Sequence, residues 1–445
     1  MNKKLISSAL LAACLVAGAY AQDLDPKALK AAQKELSANI KKAKTEATRA
    51  ENPDFTAARA AITEAMQSPV AGQNAELYYT AGLVEYNNFN SERNKPQTGG
   101  TSDEKTMYNC AKAAYDYFLQ AYDYDQTPDA KGKVAAKYSA DIVNNMTNLL
   151  GSGAFANAAI YYFNVPIEDF AKAYDYFNLF LDSQKLPMFE GNAQAQAVLM
   201  QLGSEETTNQ IGFYRAYAAM KMKDSQKTID ACLFMKDRGY ETDNVYKILS
   251  NEYINMGDSA KFEATLIEAA KLLPNEPYYN QTLINYYLGT KSYDKAISYL
   301  DNALALDPNN AHYYDLKGRL LETQEQEDAA VECYKKAIEL DNLYASPYAN
   351  LGRILFNRAQ TKEDELYSKK RFEEADRVCE PLYLEAMPYL EKGFDLNQDE
   401  VDTNTGVGLR QIYYKLMQKP SCPNKAELRE KYNAVSERLG MTGIK

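Results

Sequence analysis

A spacing of 34 residues, repeated across the stretch 243–355, constrains the fold of this chain more than any other feature. Within SYDKAISYLDNALALDPNN, Ala296, Leu300 and Ala303 recur at the spacing of one helical face, and Pro308 ends the run. Leu283 and Tyr287 hold the large apolar positions of a preceding helix, so one unit runs from Pro277 to Asn310. One period later, a unit from Ala311 has Gly318, Ala330, Tyr334 and Ala337 in the matching places. One period earlier, a unit from Asp243 has Leu249, Ser250, Tyr253, Leu266, Ala269 and Pro274, with Phe262 where a small residue is expected. A fourth unit opens at Ala345 with Leu351, Gly352 and Leu355. A fixed period of this length means stacked helix pairs, because one pair cannot bury its apolar face alone. Gly or Ala belongs where two helices cross closely, and Tyr or Leu fills the space between crossings.

The pattern resembles the tetratricopeptide repeat. That resemblance implies an all-α fold, an α-solenoid wound as a right-handed superhelix of stacked antiparallel helix pairs, about eight to nine of them, with the first helices lining a concave side. Weaker units flank the regular ones. From Asn209, Ala216 and Ala219 suit a first helix and Cys232 a second. Ala81-Gly82 match a first helix, and Ala114, Phe118 and Ala121 a second, with AYDYF repeated at Ala114–Phe118 and Ala173–Phe177. Between those helices, the Asn-, Gly- and Ser-rich stretch from Asn87 to Thr106 predicts a loop. After Leu355 the next small crossing residue is Ala386, instead of nine positions on, which predicts that both helices of that pair are lengthened, near 356–385. An amphipathic helix follows Pro26, and polar capping helices are expected at Val401–Met417 and Lys425–Leu439. The expected organisation is a signal peptide at 1–21, degenerate helical repeats at 22–206, a regular array at 207–400 and capping helices at 401–445.

At the N-terminus, Lys3 and Lys4 precede an apolar run from Leu5 to Ala19, and Ala19-Tyr20-Ala21 supplies small residues one and three places before Gln22. This reads as a secretory signal cleaved between Ala21 and Gln22. Leu11-Ala12-Ala13-Cys14 also resembles a lipoprotein signal, in which Cys14 would be lipidated and become the first residue. The apolar run continuing past Cys14 favours simple cleavage. No later segment has the apolar length of a membrane helix, so export to the periplasm, or association with the outer membrane, is the expected destination. Losing Lys3 and Lys4 turns a formal charge of −11 into 48 basic residues against 61 acidic, a charge of −13. Such a surface disfavours nucleic acid as a partner. The five remaining cysteines, Cys110, Cys232, Cys333, Cys379 and Cys422, are scattered and without a CxxC pair, and suit small core positions.

Catalytic chemistry finds little support. His312 is the only histidine, and no HExxH, GxxxxGK or GxSxG sequence occurs. Gly151-Ser152-Gly153 with Ala156 imitates a dinucleotide fingerprint, but a helical pattern precedes it where a strand is needed. Asp395, Asn397 and Asp399 imitate the start of a calcium loop, and Glu400 then stands where glycine must turn the chain. Neither a cofactor nor a metal is expected, and the chain reads as a non-enzyme. Its 36 tyrosines, with no tryptophan, are expected mainly in the core.

The resemblance also implies which side chains face the groove: positions 2, 5, 9, 12 and 13 of each first helix. The ninth positions are Asn251, Asn285, Arg319 and Arg353, a ladder of donors one repeat apart, with Lys247, Asn255, Tyr278, Gln281, Asp315, Asn350 and Asn357 around it. Asparagine can pair with both groups of an extended backbone, and arginine can grip a carboxylate with two bonds. The ladder therefore points to a protein or peptide partner. Lys247 and Asn251 match the start of a carboxylate clamp, but Thr282, His312 and Leu316 depart from it, so that role does not carry over. The expected function is a non-catalytic scaffold or adaptor of the bacterial cell envelope. Two alternatives are an outer-membrane-associated glycan or nutrient-capture protein and an envelope assembly or secretion accessory factor. The first is disfavoured by the lack of the tryptophan on which such proteins stack sugars.

Overall fold

The computed structural model describes residues 24–129, 131–397, 403–419, 422 and 424–444. Cys14, Ala21 and Gln22 lie outside the described residues, as do Asp399 and Glu400. Among the described residues, twenty α-helices and two short 3₁₀ turns make up the regular structure. They fall into two compact units, one ending at Gly257 and the other starting at Asp258.

The first unit holds α1 (Pro26–Ala47), α2 (Phe55–Met66), α3 (Ala75–Asn94), α4 (Glu104–Asp125), α5 (Ser139–Gly151), α6 (Ala154–Phe163), α7 (Phe170–Ser183), α8 (Ala193–Leu202), α9 (Glu205–Lys221), α10 (Ser225–Lys236) and α11 (Thr242–Asn255). The second holds α12 (Ser259–Leu272), α13 (Pro277–Gly289), α14 (Tyr293–Leu306), α15 (Ala311–Thr323), α16 (Glu327–Leu340), α17 (Ala345–Ser368), α18 (Phe372–Leu396), α19 (Thr403–Gln418) and α20 (Lys425–Arg438). Their starts are written in the sequence. Asp54, Asn74, Asp103, Asp169, Asn192, Asp224, Asp258 and Asn310 each accept a hydrogen bond from a backbone N–H in the first turn.

Small residues sit where helices cross. In α15, a Cβ on Gly318 would lie 2.7 Å from the Tyr334 ring of α16, and one on Gly352 of α17 would meet Leu390 of α18 at 2.7 Å. Gly82 stands in the same relation to Phe118, so α3 and α4 form a pair of the same kind. Ala114 and Phe118 in α4, and Ala173 and Phe177 in α7, are buried, which gives both copies of AYDYF one packing role. Phe262 is buried too, its ring 5.2 Å from Tyr286 and edge-on to it.

The predicted loop over 87–106 is mostly helix. The helix α3 continues to Asn94, and only Gly99–Asp103 separates the following 3₁₀ turn from α4. Polar residues persist there because they are internally paired. Asn88, buried, donates to Cys110 Sγ, and Glu92 accepts from Lys95 Nζ at 2.6 Å and from the Asp103 N–H at 2.9 Å. Gly151 closes α5 and Gly153, at φ 70°, precedes α6, so the imitation dinucleotide fingerprint is a helix–turn–helix corner.

Backbone turns repeat the period independently of side chains. Lys223, Gly257, Lys291 and Glu325 all have positive φ, between 56° and 75°, and are spaced 34 residues apart. The next such residue, Lys370, comes 45 later. The helix α17 has 24 residues against 13 in α15, and α18 has 25 against 14 in α16, so each gains 11. Eleven residues are about three full turns. The same faces therefore meet before and after the insertion.

Tyrosines in the second unit tie three successive helices at a time. Tyr287, Tyr334, Tyr383 and Tyr413 are buried and donate to Glu263, Glu322, Glu363 and Glu391, at 2.5–2.7 Å. Each glutamate also takes a cation from the next helix: Lys295, Arg353, Lys415 and Lys431 respectively. A hydrogen bond to a charged acceptor stabilises by about 1.5–3 kcal/mol, more than a neutral one. Burial and the facing carboxylate hold all four phenols well above the usual tyrosine range.

Candidate functional site

The first helices of the repeats carry the predicted groove residues, and each compact unit holds its own part. In the first unit, α11 places Lys247, Asn251 and Asn255 four residues apart, along one stripe of the helix. Lys247 is half-buried and pairs with Asp243 at 2.8 Å, while Asn251 and Asn255 are exposed.

The second unit holds the remainder on α13, α15 and α17. Tyr278 is half-buried, Gln281 and Asn285 are exposed, and Gln281 donates to the Tyr313 hydroxyl of α15 at 2.8 Å. Asp315 departs from expectation. It is fully buried and faces no groove. Its carboxylate accepts from the Tyr344 hydroxyl at 2.9 Å, from Ser346 Oγ at 3.0 Å and from Asn350 Nδ2 at 3.3 Å, which bonds α15 to α17. Burial and that carboxylate push the Tyr344 phenol up to about 12. Asn350 is half-buried in the same network.

The two arginines of the ladder differ. Arg353 spends one end of its guanidinium on Glu322, at 2.5 Å, and Glu322 is already held by Tyr334. Arg319 keeps 55% of its side chain exposed, and only its Nε approaches the buried Asp315, at 3.5 Å. Its two Nη groups have no hydrogen-bond partner among the described residues. Asn357, at the end of this row, is exposed. The structure thus brings Asp315, Arg319, Asn350, Glu322 and Arg353 into one buttressed patch and leaves Arg319, Asn285 and Asn357 facing solvent. Glu322 and Ser346 were missed as parts of this patch, although they occupy the twelfth and second positions that the repeat rule names.

Residues 285–310 and 311–342, which supply most of that patch, match the family model of the tetratricopeptide repeat. They are tetratricopeptide repeats. No curated protein matches the chain. Solved structures similar to it include MamA, at 17% identity over 41% of this chain and 94% of MamA, with a TM-score of 0.28. A MamA fragment from Desulfovibrio magneticus RS-1 shows 16% identity over 45% of this chain and 99% of its own length, with a TM-score of 0.27. YrrB, described as a TPR protein with an unusual peptide-binding site, shows 14% identity over 47% and 94%, with a TM-score of 0.28. Tetratricopeptide arrays present extended surfaces for protein partners. On the face described here, Arg319 can grip a carboxylate with two parallel bonds. Asn285 and Asn357 can exchange bonds with a peptide backbone. Among the described residues, no helix is long and apolar enough to cross a membrane.

Proposed function

We propose that this chain is a non-catalytic scaffold of the bacterial cell envelope that holds a protein segment on the first-helix face of its tetratricopeptide repeats. The observation that carries the reading is the outward guanidinium of Arg319, buttressed from below by buried Asp315 and flanked by exposed Asn285 and Asn357. Among the described residues, the two Nη groups of Arg319 have no internal bond to give up before they meet a partner carboxylate. The partner segment is extended and carries a carboxylate that meets Arg319. Lys247, Asn251 and Asn255 on α11 supply a second polar stripe for the same class of partner. Export follows the signal sequence, with cleavage between Ala21 and Gln22 and delivery to the periplasm or the periplasmic side of the outer membrane.

The binding test is affinity capture from envelope extracts with the wild-type chain and with a variant carrying Arg319→Ala and Asn285→Ala, both at exposed side chains. The expected outcome is a protein recovered with the wild type and absent with the variant, at unchanged melting temperature. Equal recovery would sink the reading. Export is checked by the N-terminal residue of the mature protein, expected to be Gln22; a lipidated Cys14 there would replace simple cleavage with membrane anchoring.

A further inference from the structure

Three added turns at the tip of the α17–α18 hairpin bury Leu366, Ala375 and Cys379 in one apolar cluster with Leu416 and Met417 of α19. They also create a cleft of about 260 Å³ against the C-terminal half of α19. That volume is below the range typical of small-molecule pockets and suits a single long side chain. Tyr367 and Tyr414 line the cleft and remain 43% and 48% exposed.

Its charges are unequally spent. Lys415 is bound to Glu363 at 2.5 Å, and Lys419 to Asp376. Glu380, half-buried in the same lining, has no hydrogen bond or ion pair among the described residues. The charge left over is therefore negative. The cleft also contains a model for its own ligand: Lys415 Nζ lies 5.3 Å from the centre of the Tyr383 ring, a cation on a tyrosine face.

We propose that this cleft binds the cationic side chain of a protein segment, an arginine in preference to a lysine. A planar guanidinium can lie on an exposed tyrosine face while its N–H fork meets the Glu380 carboxylate. A lysine ammonium can also meet a ring and a carboxylate, as Lys415 meets Tyr383 and Glu363, but it offers neither a plane to stack nor a fork to pair with both carboxylate oxygens. An excess of 11 acidic over basic residues in the chain draws basic segments toward it. The site is separate from the face around Arg319 and stands without it.

The test uses the mature chain labelled with 3-fluorotyrosine and the blocked tripeptide acetyl-Gly-Arg-Gly-amide, with lysine and citrulline versions for comparison. The fluorine signals of Tyr367 and Tyr414, assigned through Tyr→Phe variants, are expected to shift with the arginine peptide, less with lysine and not with citrulline. Glu380→Gln should weaken binding about two- to fivefold. Tyr414→Ala should weaken it by a similar factor, while Tyr414→Phe keeps the ring face and retains it. Arg319→Ala should leave it unchanged. Silence of both signals toward the arginine peptide, an equal response to citrulline, or wild-type affinity in Glu380→Gln overturns the proposal.

Discussion

Gly318 and Gly352 carry a demand that composition cannot express: at each, a single methyl group would enter space filled by the partner helix. At Gly318 the obstacle is the Tyr334 ring, held in place by its bond to Glu322. At Gly352 it is Leu390, whose backbone nitrogen lies 2.9 Å from the added carbon. Overpacking of this kind costs about 1–3 kcal/mol. Either glycine-to-alanine change is therefore expected to lower the urea midpoint, with little change in its slope. Asp315 belongs to the same scale. Replacing it with alanine removes the charged acceptor shared by the Tyr344 and Ser346 hydroxyls and the Asn350 amide, at a cost of about 1–3 kcal/mol, measurable by denaturant unfolding. Arg319→Ala, on the exposed side of that network, should change stability by less than about 0.5 kcal/mol.

Among the elements, the lengthened hairpin follows a rule. Leu355 to Ala386 spans 31 positions where nine are usual, and the excess of 22 divides equally between α17 and α18. Eleven residues advance a helix by about three turns, so the buried face returns to phase. Deleting 358–368 and 372–382 together should leave a hairpin of ordinary repeat length. It would expose part of α19 but retain cooperative unfolding by circular dichroism. Deleting 358–368 alone unmatches the two helices. That variant is expected to lose more helical signal than the shorter paired one, and greater loss in the paired deletion would contradict the register argument.

At the scale of the whole molecule, the Tyr–Glu–cation ties run through the second unit and give it a pH signature. All four phenols are raised in the folded state, so their contribution is complete below the unfolded tyrosine value of about 10. Above it the unfolded chain ionises first, and stability falls as pH rises toward the folded values. Melting temperatures from about pH 9 to about pH 12 should fall less steeply in a Tyr334→Phe, Tyr413→Phe variant than in the wild type. On the acid side, Lys295 and Tyr287 hold Glu263 below the usual carboxylate range, so its contribution is present above that range and lost as pH falls through the lowered value.

The repeat, its helix pairs, the crossing glycines and the lengthened hairpin were legible in the sequence because each depends on spacing along one chain, which fixes which face a side chain occupies. The stretch 87–106 was misread because Asn88 finds its partner at Cys110 of α4, outside any local window, and Glu92 is held by Lys95 and by the Asp103 N–H within the stretch. Asp315 was misread for the same reason: a position rule says which way a residue points, and only Tyr344, Ser346 and Asn350, arriving from the next pair, decide whether it meets water. Likewise Glu380 is one carboxylate among many in the sequence, and it became distinctive only when α19 brought lysines to its neighbours and none to it. Periodicity along the chain determined the fold, while the pairing of charges across helices, which no period encodes, decided which polar residues are structure and which remain available to a partner.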